Sequence, residues 1–161
     1  MKDLRIDIDL SEQRQRLFDG AKLLREYPVS TAANGAGERN GSECTPRGRH
    51  KIRAMIGRGA APGTVFAARR PTGEIWSPAL GALFPQRDWI LTRILWLSGL
   101  EPGRNRLGDV DSMRRYIYLH GTPDTTQLGA PGSHGCVRMG NRDVIELFDL
   151  VKPGTVVDIH E

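Results

Sequence analysis

Leu4, Ile6, Ile8 and Leu10 alternate with Arg5, Asp7 and Asp9. A period of two predicts a strand with one buried face and one wet face. Residues 14–18 and 21–27 are further extended runs. Asp19-Gly20 between them is a hairpin signal, and Pro28 is expected to close the second arm. Residues 31–49, rich in Gly, Asn, Ser and Arg, read as a long loop of the kind that is functional or mobile in a small domain. Residues 50–56 and 64–68 read as strands, Pro71-Thr72-Gly73 as a turn, and 74–88 as irregular. The apolar run 89–97 fits strand or helix by periodicity, and its length and branched side chains favour a buried strand. Residues 115–119 predict a strand that ends at His120.

One helix is clear. Val144, Leu147, Phe148 and Val151 fall at i, i+3, i+4 and i+7 and make one apolar face. Asn141 is the expected N-cap, Asp143 sits in the positive first turn, and Lys152-Pro153-Gly154 stop the helix. Residues 155–159 then read as a closing strand. Many short strands with one helix predict a mainly β fold, a β-sandwich or barrel-like sheet.

The 161 residues suit a single domain, 1–161, large enough to bury a core without staples. A net charge of +4 suits an anionic ligand. No Lys/Arg stripe with interleaved aromatics accompanies it, so no nucleic-acid partner is expected. No apolar run reaches about 18 residues, so no membrane partner is expected either. The first residues hold no secretory h-region, which predicts a cytoplasmic protein. Oligomeric state is not legible.

The candidate chemistry lies in Ser133-His134-Gly135-Cys136-Val137-Arg138, with His120 upstream. A thiol attacks as thiolate, and a neighbouring imidazole lowers its pKa by forming a thiolate–imidazolium pair. His134, two residues from Cys136, shares a face with it if the segment is extended; His120 needs the fold to bring it close. Spacing does not choose between them. Gly135 lets the backbone approach a ligand, and the N–H groups of Gly135 and Cys136 suit a developing oxyanion. Arg138 is a planar fork suited to a carboxylate. Against this, a lone cysteine is more often a small buried hydrophobe, and a histidine after an apolar run is more often structural. A zinc site drawn from Cys44, His50, His120, His134 and Cys136 lacks the usual ligand spacing, so no metal and no cofactor are expected. Cys44 reads as a spare thiol, and His50 and His160 as structural or exposed.

His120-Gly121-Thr122, then Ser133-His134-Gly135-Cys136-Val137-Arg138-Met139, then Asn141, Asp143 and Val144 opening a helix resemble the L,D-transpeptidase (YkuD-type) catalytic domain. Residues 27–31, Thr45-Pro46-Arg47-Gly48 and residues 152–157 look like further family segments, so the resemblance spans most of the chain. It implies a mainly β sheet with a helix after the catalytic cysteine, acting on peptidoglycan stem peptides. It implies Cys136 as nucleophile, His120 as its base and the Gly121 carbonyl as the group that orients the ring. Ser133, His134 and Gly135 would shape the oxyanion and acyl pocket, and Arg138 would meet a substrate carboxylate. Twelve residues separate His120 from Ser133, Ala32 stands where a Gly often follows Ser-Thr, and residues 33–44 form an insertion. These departures bear on specificity more than on chemistry. The expected reaction is L,D-carboxypeptidation of a muropeptide with a tetrapeptide stem, releasing D-alanine. The alternative is L,D-transpeptidation, and a non-catalytic cell-wall binder is a third reading. Carbapenem-type β-lactams are expected as covalent inhibitors.

Overall fold

The computed structural model describes residues 2–161. The strands are β1 (Leu4–Asp9), β2 (Arg14–Asp19), β3 (Lys22–Ser30), β4 (Gly48–Ile56), β5 (Thr64–Ala67), β6 (Arg70–Ile75), β7 (Ile90–Gly99), β8 (Tyr118–Gly121), β9 (Val137–Met139) and β10 (Val156–His160). The helices are α1 (Pro78–Leu83) and α2 (Asn141–Leu150). All ten strands join one sheet in the order β4-β10-β1-β2-β3-β9-β8-β7-β5-β6. β7 also pairs with β4, so the eight strands from β4 to β7 close into a barrel and the β5–β6 hairpin hangs off it. Closure pairs β4 with β7 and so removes the open edge β4 would otherwise present, while β6 remains an edge strand. The mainly β, barrel-like expectation is correct.

Alternation decides what the barrel buries. Ile6 lies opposite Leu17 and Val157, Leu95 opposite Leu119, and Leu119 opposite Val137. These side chains join Val144, Leu147 and Phe148 of α2 in one core, nearly all fully buried. Each such aliphatic contributes roughly 1.5–3 kcal/mol by leaving water. The alternate positions of β7, β8 and β9 face the other way. There Phe66, Ile94 and Tyr118 form a smaller cluster against which Cys136 and Trp96 pack. The site is built on this second face.

Several local expectations need correction. Pro28 does not end β3, which runs on to Ser30; Pro28 sits opposite Arg14, and pairing with β9 begins only at Val29, so its missing N–H costs the ladder nothing there. Pro71-Thr72-Gly73 lies inside β6, and the tight turn is Ala68-Arg69, both at positive φ. Residues 74–88 are not wholly irregular: Ser77 caps α1 by accepting from Leu80 N–H, with Pro78 in the first turn. The strand expected over 115–119 begins only at Tyr118, because Tyr116 is left-handed (φ 57°). Asn141 is not the N-cap. Gly140 is, without a side-chain bond, and the Asn141 amide is used elsewhere. The 31–49 loop ends at Gly48, where β4 starts. It is pinned by Ala32–Ser133 and Ala36–Thr45 bridges.

His50 is structural, as expected. It is fully buried, Nδ1 meets the Gly48 carbonyl and Nε2 meets Ser112 Oγ. Burial pulls its pKa from 6.5 down to about 4. The unfolded chain therefore binds an extra proton between those values, and stability falls as pH drops through that window. The expected loss from this ring is about 3 kcal/mol by pH 4. Urea unfolding of wild type and His50→Gln across pH 4–7 checks it: the variant should lose this component of the slope. Among the described residues, no helix is long and apolar enough to cross a membrane.

Candidate active site

β8 and β9 run parallel, with His120 opposite Arg138 and Leu119 opposite Val137. Leu119, Val137 and Met139 therefore enter the core, and Tyr118, His120, Cys136 and Arg138 share the outer face. His120 stands one strand over and two residues along from Cys136, about 8 Å between Cα atoms by strand geometry. The fold thus sets on one face the two groups that sequence spacing could not pair, with no hydrogen bond between them among the described residues.

His120 is 1% exposed. Its Nδ1 lies 2.6 Å from the Gly121 carbonyl, an acceptor, so Nδ1 carries the proton and Nε2 keeps the lone pair. Burial lowers its pKa, and the Gly121 carbonyl acts in the opposite direction. The Cys136 thiol donates to the Tyr116 carbonyl (3.2 Å) and accepts from Tyr118 N–H (3.3 Å). Burial pushes its pKa up to about 12; Tyr118 N–H, Arg138 and Arg115 pull it down, and Asp88 pushes it up. Burial thus disfavours charge on both groups, the thiolate and the imidazolium.

The segment 133–136 is bent rather than extended. Gly135 takes φ 131°, and a Cβ there would press on the Cys44 carbonyl. His134 does not sit beside Cys136 as a second base. Its side chain is 60% exposed, with Nδ1 3.7 Å from Asp88. Ser133 Oγ donates to the Cys136 carbonyl and accepts Gly135 N–H, so that N–H serves the turn, not an oxyanion. Arg138 is already held by the Gly132 carbonyl and Asp88, both at 3.0 Å. It also lines a cavity of about 470 Å³ with Trp76, Arg87, Trp89 and Thr122.

The supporting roles of several residues escaped the sequence reading. Thr45 Oγ1 donates to the Gly135 carbonyl and accepts Ala32 N–H, tying the long loop to the cysteine turn. Arg115, half-buried, donates to the Gly37, Glu38 and Cys44 carbonyls, and so holds positive charge near Cys136. Cys44 turns its own thiol toward the Asn34 and Ser42 carbonyls. Asn141 accepts from Thr92 and donates to the Thr122 carbonyl, bracing the strand after His120. The Thr45-Pro46-Arg47-Gly48 segment was noted only by resemblance; these roles depend on contacts distant in sequence.

The L,D-transpeptidase catalytic domain model matches residues 3–159. The chain belongs to that family. A curated relative, the "Putative L,D-transpeptidase YkuD" of Bacillus licheniformis, is 26% identical over 155 residues, covering 96% of this chain and 64% of its own. An L,D-transpeptidase from Mycobacterium smegmatis superposes with TM-score 0.59 at 16% identity, covering 99% of this chain and 59% of that one. L,D-transpeptidase 3 of Mycobacterium tuberculosis, solved with a faropenem-derived adduct, gives 0.61 at 13% identity, covering 99% and 61%. At such identities these structures speak to the L,D-transpeptidase fold alone. The chain spans less than two thirds of these relatives' length.

Proposed function

We propose that the chain is a cysteine acyl-transfer enzyme of peptidoglycan stem peptides, acting as an L,D-carboxypeptidase on tetrapeptide stems. The observation that carries this reading is the His120 tautomer: Nδ1–H is committed to Gly121, so Nε2 is left as a base on the face that bears Cys136.

Nε2 takes the thiol proton as sulfur attacks the carbonyl on the L-centre of the third-position diamino acid. Cys136 N–H holds the oxyanion, a contribution of about 2.7–4 kcal/mol per donor. The C–N bond breaks, and the imidazolium protonates the departing D-alanine amine. Water, deprotonated by the same ring, then cleaves the thioester; the tripeptide leaves as carboxylate, and the ring returns its proton to sulfur. Arg138 and the neighbouring cavity hold the end of the stem. Hydrolysis is favoured because water is always at hand, whereas an amine acceptor has to be bound and oriented. The second reading, transpeptidation by an amine of another stem, rests on the activity named for the relatives.

Mass spectrometry of products from a defined tetrapeptide muropeptide, with and without an amine acceptor, decides. Tripeptide plus D-alanine in both reactions is the expected result; dimer as the main product would replace hydrolysis by cross-linking. No turnover with either would reject the proposal.

A further inference from the structure

The outer face that carries Cys136 continues past the thiol. Cys136 meets Tyr118 N–H, Tyr118 lies opposite Trp96 on β7, and Ser98 follows two residues on, opposite Lys51 of β4. Trp96 packs edge-on to Tyr118 and tilted against Tyr116, which is 51% exposed. Beyond this aromatic floor is a pocket of about 190 Å³. Its lining includes Lys51, Arg53, Arg106 and Arg114, with Ser98 among them.

Three features make this more than a solvated basic surface. Neighbouring Arg49 and Arg104 are neutralised by Asp158 and Glu101, but the four pocket cations form no ion pair among the described residues. Asp111, the acid in the lining, spends its carboxylate on Leu107 and Arg114 N–H groups and so shapes the 106–114 wall. Ser98 is 8% exposed, and its hydroxyl lacks a hydrogen-bond partner. A buried hydroxyl without a partner is costly, and a bound acceptor would relieve that cost. The wall is preformed. Asn105, fully buried, donates to the Arg47 and Arg49 carbonyls and packs so tightly on Gly99 that no side chain fits there.

We propose that this pocket binds the diphosphate of the donor substrate. The volume equals that of about six waters, room for a phosphate or diphosphate group rather than a drug-sized molecule. Four cations and an O–H donor match clustered anionic oxygens. Strand spacing places the pocket about 12–16 Å from Cys136. Three extended stem residues span about 10–11 Å, and the sugar that joins stem to diphosphate fills the remainder over Trp96 and Tyr116. The donor is then a precursor still carrying its diphosphate, not a free peptide. The inference rests on the stem-peptide reading above.

Two measurements test it. Calorimetry with inorganic pyrophosphate at constant ionic strength should show saturable binding. Arg106→Ala/Arg114→Ala should weaken it at least ~10-fold, and Ser98→Ala several-fold. Arg104→Ala, in the same loop but outside the pocket, should match wild type. Turnover is then compared for tetrapeptide donors whose sugar carries a nucleotide diphosphate, a polyprenyl diphosphate or no phosphate. Higher kcat/KM for either diphosphate donor, lost in the Arg106/Arg114 double variant, supports the proposal and names the source. Absence of saturable pyrophosphate binding, or equal kcat/KM for all three donors, overturns it. If no donor is turned over but pyrophosphate binds with the expected variant pattern, the stem-peptide reading falls and the anion pocket stands.

Discussion

Cys136→Ala is expected to lower release of D-alanine from a tetrapeptide stem by about 10⁴-fold or more, and His120→Ala by a comparable factor. The two groups act as one unit, so the double variant should be little worse than either single one. Both variants should keep their fold, because Cys136 and His120 lie on the outer face of β8 and β9, away from the main core. A carbapenem-type β-lactam should add covalently to wild type and not to Cys136→Ala; intact-protein mass spectrometry reads this directly. The pH profile separates this mechanism from one with a preformed ion pair. With His120 held below its ordinary value of 6.5 and the thiol raised to about 12, the ring stays a competent base on the acidic side of 6.5. The acid limb of kcat/KM should therefore lie below 6.5, and iodoacetamide should alkylate the resting enzyme slowly at neutral pH. Fast alkylation at pH 7 would show a standing thiolate and sink the neutral-pair description.

Gly121→Ala is expected to cost both stability and activity, the second more than the first. An added Cβ would stand 2.5 Å from Asn141 Oδ1, 2.6 Å from the Leu91 carbonyl and 3.0 Å from the Thr92 Cβ. The carbonyl belongs to the β7 backbone paired with Gly121, so it has little room to retreat. Thr92 already sits at φ 76°, strained for a β-branched residue. Overpacking of this kind costs about 1–3 kcal/mol, a fall in Tm of about 2–12 °C for a domain of this size. The larger consequence is chemical. The same residue supplies the carbonyl that fixes the His120 tautomer, so any displacement frees Nδ1–H and blurs which nitrogen is the base. Nitrogen NMR of the imidazole should show a mixture of tautomers in the variant where wild type shows one, alongside a loss of kcat that the Tm change does not explain.

Local pattern carried the strands whose alternation is strict. β1, β2 and β10 are legible because Ile6, Ile8, Leu17, Val157 and Ile159 each fill one face. The apolar face of α2 is legible for the same reason. Its cap is not: Asn141 has the right chemistry for an N-cap, but Thr92 and Thr122 claim its amide. β6 was misread because Pro71 and Gly73 look like a turn; as a sheet edge, the strand tolerates both. α1 is short and exposed, with no buried face to give it a period.

The linear order of residues determined that a thiol, two imidazoles and a flexible glycine are available, and that the chain would fold as a mainly β sheet. Only the assembled barrel put His120 on the face that carries Cys136, because the parallel pairing of β8 with β9 is made between segments far apart in the chain. It also set the burial that disfavours charge on both thiol and ring, which no local pattern reports. The cationic pocket at the far end of the face exists for the same reason: β4, β7 and the 106–114 loop meet only after the barrel closes.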